Sequence, residues 1–274
     1  MANCQKLVVN GGRRLEGELR VHGAKNSALP LLAACVLAHG ECVLHNCPEL
    51  TDVDAACRIL SCLGCRCTRS GDTVCVDASN VCGNEIPDNL MREMRSSIVF
   101  LGAVLGRTRH CKLTFPGGCE LGARPIDLHL AALRDMGVTI SEEHGWLECT
   151  AAGGIRGVSV TLSFPSVGAT ENIMLAAVTA SGRTEIHNAA REPEIIDLAE
   201  FLVKCGAKIT GAGGSTICVD GVSRLSPAEH TVIPDRIVAG TYLCAAAMTR
   251  GELILTRCEP SHMTGFLPVL ESMG

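Results

Sequence analysis

The chain has 274 residues, a formal net charge of −5 and 47% hydrophobic residues, which indicates a globular protein with enough apolar side chains for one or two cores. A single Trp, a single Tyr and the absence of a basic stripe argue against nucleic acid as a partner. The most apolar stretch, residues 28–43, is interrupted by Pro30, His39 and Glu41, and the N-terminus lacks the pattern of a secretion signal. We therefore expect a cytoplasmic protein that binds small molecules and neither nucleic acid nor a membrane.

The chain contains seventeen cysteines, an odd number, which argues against a disulfide framework in a protein without a secretion signal. The close spacing of Cys62, Cys65 and Cys67 could suggest a metal site. When the internal repeats described below are aligned, however, Cys65 and Cys67 fall at positions that are apolar in the other copies. This alignment favours a role in the core, so we expect neither a metal nor a cofactor.

Two β-like runs at the start of the chain, residues 6–10 and 16–21, precede a helix-like apolar run over residues 23–39. Lys25 and Asn26 would therefore lie at a helix N-terminus. There, backbone N–H groups and the helix dipole favour an anion, although a lysine near a helix start is also commonly only solvated.

The same order of β-run, loop, helix and glycine then repeats along the chain. Gly64, Gly137, Gly206 and Gly274 take the same place in successive copies and are separated by 73, 69 and 68 residues. This spacing predicts a βαβαββ unit copied in tandem. The predicted helices that follow the first one span residues 51–63, 88–106, 125–135, 171–180, 236–248 and 263–273.

One copy of the repeat is longer than the others, in the loop that contains Gly117, Gly118 and Cys119. The glycines would permit positive φ and close approach to a ligand, and Arg124 follows on the same loop. A thiol on such a loop suits a reactive site, whereas most free cysteines are small buried hydrophobic residues. The lengthening of this one loop favours binding or catalysis.

Two further features permit either of two interpretations. Arg92 and Arg95 are three residues apart in the predicted helix over residues 88–106, so they would share a face and could bind a substrate or only a surface carboxylate. Ser166 precedes the helix predicted over residues 171–180, and the backbone there could contact a diphosphate or simply form an ordinary N-cap.

Several short segments, in this order along the chain, resemble those of the UDP-N-acetylglucosamine 1-carboxyvinyltransferase family, the enolpyruvyl transferases that open peptidoglycan synthesis and hence cell wall biogenesis. The resemblance covers effectively the whole chain, and the family chain is longer by roughly half of this length again. The segments are Gly23-Ala-Lys-Asn-Ser-Ala, Met94-Arg-Ser-Ser, Pro116-Gly-Gly-Cys with Gly122-Ala-Arg-Pro-Ile-Asp-Leu-His, Pro165-Ser-Val-Gly-Ala-Thr, Asn188-Ala-Ala-Arg-Glu-Pro-Glu and Pro234-Asp-Arg.

The resemblance implies an α/β fold, an inside-out α/β barrel of two domains in which the helices are buried and the sheets lie outside. Residues 24–233 would form one complete domain of three repeats. Residues 1–23 and 234–274 would form part of a second domain. A half-built domain leaves apolar helix faces and sheet edges uncovered, so we expect aggregation or disorder near the C-terminus.

The resemblance also implies a reaction, the transfer of the enolpyruvyl group from phosphoenolpyruvate to the 3-hydroxyl of UDP-N-acetylglucosamine with release of phosphate. It implies that Cys119 forms a covalent adduct with phosphoenolpyruvate, while Lys25, Asn26 and Arg124 bind that substrate. Cations beside the thiol would lower its pKa, so the phosphonate epoxide fosfomycin should alkylate it.

Further roles follow from the resemblance alone. It places Arg191, Glu192 and Glu194 near the site, and it leaves Arg92 as a supporting residue. The family's aspartate general base and a further phosphate-binding arginine would fall beyond residue 274, so the chain as written is expected to be inactive. The implied contacts to UDP-N-acetylglucosamine come from Arg95, Arg124, Pro125, Ile126, Asp127, Leu128, Phe164, Pro165, Ser166 and Val167.

Two alternative functions stay open at this point. The chain could be a non-catalytic lobe that holds a UDP-sugar, or it could be the sister enzyme, 3-phosphoshikimate 1-carboxyvinyltransferase, which shares the fold. The Cys119 loop argues against the sister enzyme, because that enzyme does not use such a thiol.

Overall fold

The computed structural model describes residues 8–117 and 125–273, and its contacts divide the chain into two compact units. The larger unit spans Gly23–Ile233, and the smaller one combines the residues up to His22 with those from Pro234 onward. The assignment of these units to one complete and one partial enolpyruvyl transferase domain stays a prediction.

Helices and strands alternate along most of the described chain, in the order expected for repeated βα units. The strands are β1 (Glu16–Arg20), β2 (Glu41–His45), β3 (Arg66–Ser70), β4 (Thr73–Asp77), β5 (His110–Thr114), β6 (Thr139–Glu143), β7 (Trp146–Thr150), β8 (Ser159–Thr161), β9 (Arg183–His187), β10 (Lys208–Thr210), β11 (Thr216–Asp220), β12 (Glu229–Thr231) and β13 (Glu252–Thr256). The α-helices are α1 (Lys25–Cys35), α2 (Thr51–Cys62), α3 (Asp88–Glu93), α4 (Phe100–Thr108), α5 (Asp127–Asp135), α6 (Val167–Ala177), α7 (Pro193–Lys204), α8 (Arg236–Thr249) and α9 (Leu267–Met273), with 3-10 helices at Arg95–Val99 and Pro260–Met263.

The larger unit contains three sheets of one topology. Their strand orders are β12-β2-β4-β3, β5-β7-β6 and β8-β9-β11-β10. In the first and third sheets, the strand that follows the buried helix, β2 or β9, pairs in parallel with an outer strand, β12 or β8. In the second sheet a parallel bridge between Glu85 and Lys112 replaces that outer strand beside β5. An antiparallel hairpin completes each sheet.

The core of this unit consists of helices enclosed by those sheets. Residues 27–35 of α1 and residues 169–177 of α6 are buried without interruption, and α4 is buried over residues 100–106. Strands such as β2 and β7 bury only alternate side chains. The predicted arrangement of buried helices and outer sheets is therefore confirmed for this unit.

Glycines at the ends of α2, α5 and α7 confirm the repeat read from the sequence. Gly64, Gly137 and Gly206 each follow a helix by two residues and have φ angles of +92°, +91° and +99°. Such left-handed backbone is accessible to glycine at little cost, and it turns the chain from each helix into the following strand.

The smaller unit is built on a parallel pair, β1 with β13, in which Glu16 lies opposite Glu252. Its helices bury little, since Ala239 is the only buried residue of α8 and α9 has none. Apolar side chains such as Ile237 and Met248 are 51% and 86% exposed. The aggregation or disorder expected near the C-terminus stays a prediction.

The helix predicted over residues 88–106 is wrong in one respect, because the chain leaves helical backbone at Met94, with φ −129° and ψ 120°. The carbonyl of Met91 accepts hydrogen bonds from the Gly117 N–H at 2.9 Å and from the Ser97 hydroxyl at 3.0 Å instead of continuing the helix. As a consequence, Arg92 and Arg95 do not share a helix face.

Other predicted boundaries shift by a few residues. Helix α6 begins at Val167 rather than at residue 171, because the Ser166 hydroxyl accepts the Ala169 N–H and caps the helix. Helix α5 begins at Asp127, so Pro125 precedes that helix rather than opening it. The β-run predicted over residues 6–10 has no strand in its described part, residues 8–10.

All fifteen cysteines in the described ranges are free. Cys65 is buried and Cys67 packs against the core, as the repeat alignment predicts. In the part of the chain that the structure covers, His, Cys, Asp and Glu side chains form no group of three or more that could hold a metal ion. Within the same residues, no helix is both long and apolar enough to cross a membrane.

Candidate active-site cleft

A cleft of about 530 Å³ in the larger unit gathers most of the side chains singled out in the sequence. Its lining comes from the start of α1, the 3-10 helix after Met94, the residues before α5 and the segment that enters α6. Four parts of the chain that are distant in sequence therefore meet at one place. The lining includes the predicted residues Lys25, Asn26, Arg95, Pro125, Ile126, Phe164, Pro165, Ser166 and Val167.

The remaining predicted residues fall into two groups. Asp127 and Leu128 line a neighbouring cavity of about 540 Å³, which shares Pro116 and Pro125 with the cleft. Cys119 and Arg124 lie outside the described residues, so their positions stay predictions. Pro116 and Pro125 flank the segment that contains Cys119 and Arg124, and both prolines line the cleft.

The cation at the start of α1 already has a carboxylate beside it. Lys25 is the first residue of α1, and its Nζ lies 2.9 Å from Asp52 Oδ2. Both side chains line the cleft, and the lysine side chain is 42% exposed. An anionic ligand at this end of the cleft would therefore share Lys25 with Asp52.

The break at Met94 separates two arginines that the sequence placed together. Arg95 lines the cleft, and within residues 8–117 and 125–273 it forms no ion pair. Arg92 is exposed, and its Nε lies 2.8 Å from Asp88 Oδ2 one turn earlier. Only Arg95 is therefore placed to contact a ligand in the cleft.

The N-terminus of α6 presents free backbone donors to the cleft. Ser166 Oγ accepts the Ala169 N–H at 3.3 Å, and the Ser166 carbonyl accepts the Thr170 N–H at 3.0 Å. The N–H groups of Val167 and Gly168 have no acceptor among the described residues. The serine N-cap and an anion contact are thus compatible, because the cap satisfies one donor and leaves two for a ligand.

Three titratable side chains of the cleft were not assigned from the sequence. They are Asp52, His129 and Glu171. Burial lowers the pKa of His129 to about 4. The pKa of Glu171 is raised well above its usual value by burial and, in second place, by the nearby carboxyls of Glu194 and Glu192.

A signal for Glu171 and its neighbour Asn172 was present in the sequence. Both interrupt the apolar run of α6, where a buried polar side chain needs a specific partner or a function. The segment around Glu192 was expected near the site. Glu192 lines the cleft, while Arg191 is exposed and Glu194 is buried.

The cleft combines cations with carboxyls and an apolar entrance. Lys25 and Arg95 supply positive charge, Glu171 supplies a carboxyl whose pKa is raised by burial, and Phe164 is 65% exposed at the rim. An exposed aromatic ring offers a flat apolar surface to a heterocyclic base. The arrangement therefore suits a ligand with an anionic part, hydroxyl groups and a planar ring.

Comparisons with known proteins identify the family. The model for EPSP synthase (3-phosphoshikimate 1-carboxyvinyltransferase) matches residues 9–274. The chain is 54% identical over 269 residues to UDP-N-acetylglucosamine 1-carboxyvinyltransferase 2 of Caldanaerobacter subterraneus subsp. tengcongensis, a match that covers 98% of this chain and 64% of that protein. It is 48% identical over 275 residues to UDP-N-acetylglucosamine 1-carboxyvinyltransferase 1 of Symbiobacterium thermophilum, covering 98% and 62%.

The chain thus spans slightly less than two thirds of the length of these relatives, and the resemblance read from its motifs is confirmed. Among solved structures, the enolpyruvyl transferase NikO from Streptomyces tendae superposes with a TM-score of 0.80 at 23% identity, covering 95% of this chain and 63% of that one. An EPSP synthase from Acinetobacter baumannii gives a TM-score of 0.72 at 20% identity, covering 96% and 60%. These likenesses establish the predicted fold, and with the matching family model they show that the chain belongs to the EPSP synthase family of enolpyruvyl transferases.

Proposed function

We propose that this chain acts in the transfer of the enolpyruvyl group from phosphoenolpyruvate to the 3-hydroxyl of UDP-N-acetylglucosamine, with release of phosphate, as the first committed step of peptidoglycan synthesis. The observation that carries the proposal is the cleft, because four distant segments bring to it most of the side chains that the resemblance assigns to the two substrates. The relative at 54% identity carries the name of this activity, which supports the same substrates here.

The nucleotide sugar would occupy the side of the cleft formed by α6 and the start of α5. Phe164 and Pro165 offer apolar surface for the uracil ring, and Asp127 and Leu128 extend that surface into the neighbouring cavity. The free N–H groups at the start of α6 would donate hydrogen bonds to the diphosphate oxygens, and Arg95 would add a full positive charge.

Phosphoenolpyruvate would occupy the end of the cleft at Lys25 and Asn26, together with Arg124. Cys119 would add its sulfur to the substrate carbon that bears the phosphate, while a proton is delivered to the methylene carbon. The lysine and arginine would neutralise the phosphate and favour the thiolate.

We also propose a cytoplasmic location, which the free state of the fifteen described cysteines supports, since disulfides are rare in that reducing compartment.

Calorimetry with UDP-N-acetylglucosamine tests the nucleotide-sugar site directly. We expect binding to the chain, and we expect Arg95→Ala to weaken it about tenfold or more, since a charged hydrogen bond to the ligand is lost. Arg92→Ala is the matched control and should change affinity less than about twofold, because Arg92 is exposed and already paired with Asp88. Tighter binding of shikimate 3-phosphate than of the UDP-sugar would favour the sister enzyme, and an Arg95→Ala variant that binds like the parent would exclude the proposed role.

Alkylation by fosfomycin tests the thiol. Intact-mass and peptide mass spectrometry should locate one adduct on Cys119, and Cys119→Asp should abolish it. Cys62 and Cys82 are exposed thiols within the described residues and serve as internal controls for indiscriminate reaction. Labelling that is spread over these cysteines, or that survives in Cys119→Asp, would contradict a specifically activated Cys119.

A further inference from the structure

A buried amide in α6 has its orientation fixed by two backbone groups. Asn172 is fully buried, and its Oδ1 accepts the Gly102 N–H at 2.7 Å. Its Nδ2 donates to the Ile98 carbonyl at 3.1 Å. Exchanging the amide's oxygen and nitrogen would set a donor against a donor and an acceptor against an acceptor. The end of Asn172 that carries N–H groups is therefore the end that faces His129.

This orientation determines which nitrogen of His129 carries a proton. Asn172 Nδ2 lies 2.9 Å from His129 Nδ1 and can only donate to it. Nδ1 must then be an acceptor, so the ring is neutral and its proton is on Nε2. Burial acts in the same direction, since it lowers the pKa of His129 to about 4.

The protonated nitrogen lies at the N-terminus of α6. His129 is 6% exposed and lines the cleft, and its Nε2 has no hydrogen-bond partner among the described residues. A Cβ on Gly168 would lie 3.3 Å from Nε2, which places this N–H beside the backbone of the first helical turn. The N–H groups of Val167 and Gly168, which also lack an acceptor there, belong to the same helical turn.

We propose that His129 binds the ligand's diphosphate as a neutral donor, through Nε2–H, and that Asn172 is a positioning residue that holds the required tautomer. The proposal rests on the proposed function and specifies which side chain completes the anion site at the start of α6. The donors contributed by His129 and the start of α6 are uncharged, and Arg95 supplies the positive charge of the site. It follows that His129 itself adds no pH dependence to binding in the usual range of histidine titration.

Paired substitutions at His129 test the donor by calorimetry. In His129→Gln the side-chain amide can keep an N–H near the position of Nε2, whereas His129→Met has a similar volume and no donor. We expect affinity for UDP-N-acetylglucosamine and for inorganic diphosphate to fall roughly 10- to 100-fold in His129→Met and less than about threefold in His129→Gln. Affinity for uridine, which has no phosphate, should be unchanged in both. Equal binding of UDP-N-acetylglucosamine by His129→Met and the parent would overturn the proposal.

Nitrogen-15 NMR of the imidazole rings tests the tautomer without any ligand. The resonance that disappears in His129→Gln should show an unprotonated Nδ1 and a protonated Nε2 between roughly pH 5 and pH 8. In Asn172→Asp the new carboxylate accepts a hydrogen bond from Nδ1–H, so the ring that becomes neutral as the pH rises loses its proton from Nε2. Affinity for UDP-N-acetylglucosamine should then fall as the pH rises. An Nδ1–H tautomer, or an imidazolium near pH 6.5, in the parent protein would refute the assignment even if the variant failed to fold.

Two outcomes separate this inference from the proposed function. If inorganic diphosphate binds in a His129-dependent way but UDP-N-acetylglucosamine binds no better than diphosphate, the donor is supported and the proposed substrate is not. If UDP-N-acetylglucosamine binds and the His129→Met variant retains that affinity, the substrate is supported and the donor is not. Inorganic phosphate is the third probe, and binding at the level of diphosphate would assign the donor to a single phosphate instead.

Discussion

At the scale of single residues, Glu171 combines a carboxyl group with an almost fully buried position in an apolar helix. Burial raises its pKa in the folded protein above the value in the unfolded chain, which is about 4.3. At a pH between these two values, the native state binds one more proton than the unfolded state. The stabilising contribution of the protonated carboxyl is complete below that window and is lost as the pH rises through it.

Glu171→Gln should therefore be more stable than the parent at neutral pH, because glutamine resembles the protonated carboxyl at every pH. The gain is about 1.4 kcal/mol for each unit by which the pKa is raised, and it should shrink towards zero near pH 4. Urea unfolding at roughly pH 4.5 and pH 7.5 measures it. A variant less stable than the parent at both pH values would show that the carboxylate is ionised and paired.

His129 has the opposite dependence on pH, because burial lowers its pKa to about 4 from an ordinary value near 6.5. The unfolded chain binds the proton first, so the stability contribution of the neutral ring is present above about pH 6.5 and is lost as the pH falls to about 4. The difference in unfolding free energy between the parent and His129→Gln should change by roughly 3 kcal/mol across this window. A difference that stays constant with pH would exclude the lowered pKa.

Gly117 is constrained by its neighbour rather than by its own dihedral angle. It does not adopt the positive φ that the sequence suggested, but a Cβ at this position would overlap the backbone of Arg92. Gly117→Ala should cost about 1–3 kcal/mol, since the chain must move away and lose the hydrogen bond to Met91. Gly153→Ala, at an open position without positive φ, should change thermal stability by less than about 0.5 kcal/mol.

At the scale of secondary structure elements, the existence of the helices was predictable, and their ends were decided by tertiary contacts. Residues 92–95 are all compatible with a helix, yet the hydrogen bonds from Gly117 and Ser97 to the carbonyl of Met91 end it. A pattern of apolar residues contains no information about a donor that arrives from a loop more than twenty residues later. The start of α6 at Ser166 was more accessible, because serine is a preferred N-cap.

A buried polar chain connects α1, α7 and β12. Asp197 accepts hydrogen bonds from Ser27 and from His230 Nε2, the latter at 2.7 Å. His230 Nδ1 lies 2.9 Å from Lys204 Nζ, and because an ammonium group only donates, the histidine must accept at Nδ1 and donate from Nε2. Each member thus fixes the proton position of the next one.

Asp197→Ala should destabilise the larger unit by roughly 3 kcal/mol, because it leaves the donors of Ser27 and His230 buried without an acceptor. Glu200→Ala, on the same helix but exposed, is the control and should change the unfolding free energy by less than about 0.5 kcal/mol. Chemical denaturation of both variants gives the comparison. If the two variants lose the same stability, the buried chain contributes no more than an ordinary surface residue.

At the scale of the whole molecule, the repeat and the fold class could be read from the sequence, because the glycines that adopt positive φ, Gly64, Gly137 and Gly206, leave a residue-specific mark every 69 to 73 residues. The cleft could not be predicted from the sequence in this way, since it depends on segments brought together in space. His129 was missed for that reason, whereas Glu171 was marked by its place in the apolar run of α6 but not assigned. Their unusual pKa values come from packing by other elements, which no local pattern records.

The two units should differ in local stability. Helices α1 and α6 are buried over most of their length, whereas α8 buries one residue and α9 none. Hydrogen exchange followed by mass spectrometry should therefore show opening free energies lower by at least roughly 2 kcal/mol in α8 and α9 than in α1 and α6. Equal protection in all four helices would mean that both units open only in global unfolding.

The parallel pairing of β1 with β13 has a consequence for synthesis of the protein. Strand β1 ends at Arg20 and its partner begins at Glu252, with the whole larger unit encoded between them. At translation rates of about 5–20 residues per second, the first strand leaves the ribosome on the order of ten seconds or more before its partner exists. During that interval its edge is open to chaperones, proteases or other nascent chains, while the intervening residues are already free to fold.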